Sequence, residues 1–166
     1  MKLISLNAWG GQVPEILDFF KTHQDIDIFL LQEVFNNGTP RTIFNDRERA
    51  MLFKEINEAL PNHLGYFAPA EAGEWGLAIF VKKSLQILEH GDYFVYREKD
   101  SMVGRDATTV GRNLQFINII LKNKKINILN FHGLWSGQGK LDSPDRQTQS
   151  ENIVNFIKNL DGQENC

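Results

Sequence analysis

The sequence predicts a single α/β domain. Its 166 residues suit one hydrophobic core. Short aliphatic runs alternate with segments of helical periodicity. Three of those runs end in polar residues, at Asn7, Glu33 and His132, as strands do when a sheet delivers site residues from its carboxyl ends.

Leu3 to Leu6 reads as a buried strand that stops at Asn7, followed by the glycine-punctuated loop Ala8-Trp9-Gly10-Gly11. Pro14 suits a first helical turn, and Ile16, Leu17 and Phe20 give that helix an apolar face to about Thr22. Ile26 to Leu31 is nearly unbroken apolar sequence, the mark of a strand covered on both faces, and ends at Gln32-Glu33. Asn36 to Thr42 reads as loop. Asp46 to Leu60 has helical spacing at Ala50, Phe53, Ile56 and Leu60, with Pro61 as its stop. Four strands are predicted next, at Gly65–Ala68, Leu77–Val81, Leu85–His90 and Leu114–Leu121, the last turning through Lys122–Lys125 into Ile126–Phe131. Ser143-Pro144 caps a final helix in which Ile153, Phe156, Ile157 and Leu160 share a face. Asp92 to Gly111 carries no clear pattern.

Composition narrows the function. With 42% hydrophobic and 23% charged residues the chain is neither disordered nor a disulfide scaffold, and its net charge of −3 lacks the basic surface of a duplex nucleic-acid binder. The single cysteine, Cys166, is the last residue and closes no internal disulfide, which fits a reducing, cytoplasmic setting. No apolar stretch is long enough to span a bilayer. The chain has no G-x-S-x-G elbow, phosphate-binding G-x-x-x-x-G-K-S/T loop, H-E-x-x-H or paired-cysteine zinc pattern.

Glu33, released from an apolar strand, can bind a hard cation such as Mg²⁺, which takes one or two carboxylates and completes its octahedron with water and phosphate oxygens. A salt bridge at the strand end is the competing reading. Asn7 can orient Glu33, touch a metal-bound water or phosphate, or simply make an Asn turn. His132 can donate to a leaving oxygen or serve the loop structurally, and it needs an orienting partner. Glu74, just before the Leu77 strand, is the candidate, and such a pair predicts a His132 pKa above 6.5. Trp9, Trp75 and Trp135 sit beside these loops, where they can wall a site or anchor packing. His23, His63 and His90 lack ligand spacing and read as structural, and Lys122, Lys124 and Lys125 as a solvated turn.

In order and rough spacing, Leu6-Asn7-Ala8-Trp9-Gly10, Leu30-Leu31-Gln32-Glu33-Val34, Gly76-Leu77-Ala78-Ile79-Phe80, Asn130-Phe131-His132 and Arg146-Gln147 resemble the endonuclease/exonuclease/phosphatase (DNase I-like) superfamily. The stretch His132-Gly133-Leu134-Trp135, with Gly137, Gly139, Lys140 and Asp142 behind it, is similar to a bacterial branch of that group. The resemblance implies a four-layer α/β sandwich of mixed, mainly antiparallel sheets with flanking helices, of which residues 1–166 form the N-terminal part of one domain. It implies Mg²⁺-dependent phosphoester hydrolysis, with Mn²⁺ as an alternative ion. Glu33 and Asn7 then stand at the metal, His132, Glu74 and Asn7 are catalytic, and Trp9, Asn130 and Trp135 are the substrate-binding candidates.

The family's later G-D-x-N element and terminal Asp-His pair are absent from the sequence given, so the residue that activates water is not among these 166. The partner expected is a phosphoester: a small molecule, a lipid head group or a nucleic acid. Because the resemblance assigns the second sheet mainly to later sequence, the apolar strand Phe116–Leu121 is expected to expose a face that drives self-association. A noncatalytic metal- or phosphate-binding module on the same scaffold is the rival reading.

Overall fold

The computed structural model describes residues 1–40, 42–43, 45–135, 137, 139 and 141–161; Lys140 and Cys166 lie outside the described residues. β1 (Leu3–Asn7) pairs in parallel with β2 (Ile28–Phe35), and β2 pairs antiparallel with β4 (Trp75–Lys82), which pairs antiparallel with β3 (His63–Glu71). The first sheet therefore has the order β1-β2-β4-β3. β5 (Gln86–Tyr96), β6 (Arg112–Leu121) and β7 (Lys124–Phe131) form a second, antiparallel sheet. Its β6–β7 hairpin turns on Lys122 and Asn123, both at positive φ (50° and 62°), the backbone that matches the twist of a two-residue hairpin.

Periodicity explains the layers. Helices α1 (Ile16–Thr22) and α2 (Leu52–Ala59) bring Ile16, Phe20, Leu52 and Ile56 onto the outer face of the first sheet, against Phe29, Leu31, Val34, Ala78 and Phe80. The inner face alternates out of phase: Ile28, Leu30, Ile79 and Val81 meet Ile117, Ile119 and Ile128 of the second sheet. Helix α3 (Pro144–Asp161) covers the other side, with Phe156 stacked on Tyr93 at 5.1 Å and beside Phe116 at 5.6 Å. The order is helix, sheet, sheet, helix, the predicted four-layer sandwich. Among the described residues no helix is long and apolar enough to cross a membrane.

Several boundaries differ from the sequence reading, for local reasons. A second sheet is supplied from within these residues, so Ile117 and Ile119 of the β6 strand expected to expose an apolar face are fully buried against the first sheet, while Phe116, Ile120 and Leu121 are half-buried. Asp46 to Met51 is not helical: Arg47 N donates to Asn45 Oδ1 and Arg49 N to Gly10 O, satisfying the backbone outside a helix. β5 runs on to Tyr96 through sequence that carries no strand pattern, because its partner is β6. The loop after it is held on the β3–β4 hairpin by Met102 N donating to Glu71 Oε2 and Ala72 N to Asp100 Oδ1. Ser143 Oγ accepts from Arg146 N, the cap expected for α3.

Gly76 tests the first sheet. A Cβ at this position would lie 2.2 Å from the Ala68 carbonyl oxygen and 2.8 Å from Pro69 Cα, both backbone atoms. Gly76→Ala is expected to cost about 1–3 kcal/mol, through forced separation of β3 from β4, read as a lower urea midpoint. An unchanged midpoint would contradict this close approach.

Candidate functional site

Glu33 is not at a strand end. β2 continues to Phe35, and between the pairs Leu31↔Ala78 and Val34↔Gly76 the two residues Gln32 and Glu33 lie opposite Leu77 alone. Glu33 occupies this bulge with φ of 55°, a left-handed conformation that costs a non-glycine residue about 1–3 kcal/mol and that recurs where function demands it. The extra residue resets the alternation. Phe29, Leu31 and then Val34 face the helices, while Glu33 is freed to the sheet rim.

Asn7 stands beside it, on the neighbouring strand. Its Nδ2 donates to Glu33 Oε1 at 3.0 Å, and its Oδ1 accepts from Trp9 N at 2.8 Å. The chain leaves β1 through Trp9, Gly10 and Gly11, all at positive φ, a turn that ties the Asn7 amide down. Of the roles open to Asn7, orienting Glu33 is the one this hydrogen bond performs.

The second sheet brings His132. Its Nε2 lies 3.5 Å from Glu33 Oε1, and its Nδ1 lies 3.4 Å from Arg112 Nη1. A guanidinium can only donate, so Nδ1 is the acceptor and the neutral ring carries its proton on Nε2, facing Glu33. Burial, then the Arg112 charge, pushes the His132 pKa down to about 4, opposite to the expected rise. Glu74 does not pair with it: the Glu74 Oε2 accepts from Thr39 N, Thr39 Oγ1 and Thr42 Oγ1 at 2.7–2.9 Å. These threonines lie on the loop after β2, so Glu74 organises that loop.

Sequence reasoning missed Arg112. It is 4% exposed, its Cζ lies 5.8 Å from the Trp75 ring centroid, and its Nε has no hydrogen-bond partner. Burial lowers its pKa to about 10, against the opposing attraction of Glu33. A signal did exist. Counting back from the Lys122-Asn123 turn pairs Leu114 with Phe131 and brings the start of β6 beside His132.

Glu33, Arg112 and His132 share a cleft of about 280 Å³, walled by Phe35, Trp75, Met102, Val110 and Trp135. Trp135 is exposed at its mouth and Trp75 is the first residue of β4, not a loop residue. Trp9 is exposed beside Gly10 and does not line the cleft. Asn130, expected at the substrate, does not line the cleft: it is 1% exposed and hydrogen-bonded between the sheets. Among the described residues no group of three His, Cys, Asp or Glu side chains could enclose a metal ion. Glu48 and Glu71 also line the cleft, but of its carboxylates Glu33 is the one placed beside Asn7 and His132, and Mg²⁺ needs only one or two carboxylates when water and substrate oxygens complete its shell.

No protein-family model matches the chain, and neither does any curated protein. Solved structures do. The chain is similar to a mannosyl-6-phosphatase of Bacteroides thetaiotaomicron (TM-score 0.68, 19% identity), over 97% of this chain and 60% of that one. It is similar to an endonuclease/exonuclease/phosphatase family protein of Leptotrichia buccalis (TM-score 0.68, 17% identity, 99% and 64%). A third likeness is to truncated TDP2 of Caenorhabditis elegans (TM-score 0.62, 18% identity, 98% and 56%). These likenesses establish the fold, that of endonuclease/exonuclease/phosphatase proteins. The chain spans 56–64% of the length of these three structures.

The depressed His132 pKa has a consequence for stability. An imidazole whose folded-state pKa of about 4 lies below its unfolded value of about 6.5 stays neutral in the fold while the unfolded chain takes up the proton. Its contribution is full above pH ~6.5 and is lost as pH falls toward 4. Buried His63, whose Nε2 donates to Ile26 O, is shifted in the same direction by burial. Metal-free protein is expected to lose stability between pH 7 and 5, and His132→Asn to lose less, by on the order of 1 kcal/mol. Equal losses in denaturant titrations of the two proteins would refute the neutral imidazole.

Proposed function

We propose that this chain carries the metal-binding part of a divalent-metal-dependent phosphoesterase, hydrolysing a phosphodiester or phosphomonoester by metal-assisted attack of water. The observation that carries the reading is the meeting, in one cleft, of a carboxylate, a neutral imidazole and a buried guanidinium with an unpartnered Nε. A buried guanidinium attracted by Glu33 but with an unpartnered Nε is further stabilised by a second anion, and a phosphoryl group supplies both the charge and a pair of acceptor oxygens that a guanidinium can bind bidentately. The solved-structure neighbour that is a mannosyl-6-phosphatase points the same way.

Glu33 supplies the ligand for Mg²⁺ or Mn²⁺, and Asn7 stands beside it and holds the carboxylate by its Nδ2. When bound, such an ion polarises a phosphoryl oxygen and neutralises developing charge. Arg112 binds a second phosphoryl oxygen. His132, neutral at pH 7, donates from Nε2 to the ester or phosphoryl oxygen and stabilises charge there as a preorganised dipole. Phe35, Trp75 and Trp135 exclude water and receive the organic group of the ester. The net charge of −3 favours a small phosphoester or a head group over duplex nucleic acid.

Hydrolysis of a panel of phosphomonoesters and phosphodiesters in Mg²⁺ tests the reading. In a version of the protein that also carries the water-activating residue, Glu33→Ala is expected to lower turnover at least about a hundredfold, roughly 2.7 kcal/mol of transition-state stabilisation. In that version, near-normal turnover at saturating Mg²⁺ rejects the assignment, and metal binding with no hydrolysis of any ester favours a noncatalytic module. Arg112→Met separates binding from folding. It is expected to weaken inorganic phosphate binding at least about tenfold while leaving the urea midpoint unchanged or higher, because the desolvation cost of the buried charge, only partly offset by Glu33, is gone. Unchanged phosphate affinity in calorimetry would remove Arg112 from the site.

A further inference from the structure

We infer that the amide pair Gln32–Asn130 is a positioning device for Glu33, with Asn130 the positioning residue that fixes the bulge from the opposite sheet. The inference rests on the reading of Glu33 as a metal ligand only for its functional meaning, not for its geometry.

Position 130 continues the inward row of β7 after Ile126 and Ile128, where the core calls for another aliphatic side chain. It holds an amide instead, fully engaged. Asn130 Nδ2 lies 2.9 Å from Leu31 O, 3.1 Å from Ala78 O and 3.2 Å from Gln115 Oε1, and Asn130 Oδ1 accepts from Gln32 Nε2 at 2.7 Å. Leu31 and Ala78 are the last pair before the bulge, and Gln32 is the bulge residue next to Glu33. One side chain from the second sheet thus grips both strands that bound the irregularity. A bulge is free to slip along its strand, because moving it by a residue only exchanges which side chain is expelled. Slipping this one would turn the carboxylate away from Asn7 and His132. The directional bonds of Asn130 select the register in which it does not.

Asn118 provides the contrast. It is equally buried on β6, bonds through Nδ2 to Glu89, and leaves its Oδ1 without a partner, so its amide makes no hydrogen bond to β2 or β4. Loss of its amide is a loss of packing and polarity alone.

The test compares Asn130→Asp, which keeps the shape and replaces the donor with an oxygen facing two carbonyls, with Asn118→Ala. A milder variant, Gln32→Met, removes the donor to Asn130 Oδ1 if Asn130→Asp does not fold. Mn²⁺ affinity, measured by electron paramagnetic resonance well below each melting temperature, is expected to fall at least about tenfold in the Asn130 or Gln32 variant, as for other groups that orient a metal ligand. It is expected to stay within about twofold in Asn118→Ala even where the thermal loss is the same. A crystal structure of the Asn130 or Gln32 variant is expected to show Glu33 out of its left-handed conformation and its hydrogen bond to Asn7 broken. A folded variant that keeps that conformation and bond overturns the proposal, whatever the metal does. Failure of the unaltered chain to take up Mn²⁺ counts against the metal reading alone, and the crystal structure then decides the role of Asn130.

Discussion

A layer of buried side-chain amides between the two sheets is the constraint on which the rest of the structure depends. The inner rows of three strands change character at the same level. β2 runs Ile28, Leu30, Gln32; β6 runs Ile119, Ile117, Gln115; β7 runs Ile126, Ile128, Asn130. Below this level the sheets are joined by aliphatic contact, which is strong but non-directional and tolerates sliding. At this level they are joined by hydrogen bonds, including Gln115 Nε2 to Tyr66 O at 2.9 Å and those of Asn130. Buried amides are costly unless paired, so the sheets are stable only in the register that pairs them. The cleft lies directly above that layer.

The electrostatics of the cleft follow from which group is most deeply withdrawn from water. Arg112 is buried, and its charge is opposed by burial and supported by the attraction of Glu33 at longer range, so it weighs heavily on its surroundings. His132 lies between the two, with Arg112 at one ring nitrogen and Glu33 at the other. Burial and the cation act together against the imidazolium, and the nearby carboxylate does not reverse them. The neighbour that governs the histidine is therefore a cation rather than the expected acid, and the ring works as a fixed dipole. Glu74 is displaced from this role by geometry, since its carboxylate is turned to the threonine loop after β2.

Much of this was legible in the sequence because it is written in short-range pattern. The strand cores, the amphipathic faces of α1 and α3, the Ser143 cap and the delivery of Asn7, Glu33 and His132 to one rim all follow from periodicity and local chemistry. The amide layer is legible in hindsight as well, since Gln32, Gln115 and Asn130 each occupy a period-two position inside an aliphatic row. What was not legible depends on tertiary partners. The strand character of Asp92 to Tyr96 comes from pairing with β6, and Arg112 matters only through a pairing that must be counted from a turn ten residues away. The bulge at Glu33 leaves no composition signal, since glutamate is an ordinary strand-end residue and an unusual left-handed one.

The division of the site between the sheets explains why register matters more here than depth of core. Asn7 and Glu33 come from the first sheet, Arg112 and His132 from the second, and no backbone hydrogen bond joins the two sheets in their paired strands. A slide of about 1 Å along the seam would leave the aliphatic contact nearly intact, because buried area changes little over that distance. It would take the contact of 3.5 Å between Glu33 and His132 out of interaction range. The aliphatic layers thus hold the sheets together without deciding where they stop, and the amides decide it. Cleft geometry and interior polarity are one problem in this fold, solved by the same three side chains.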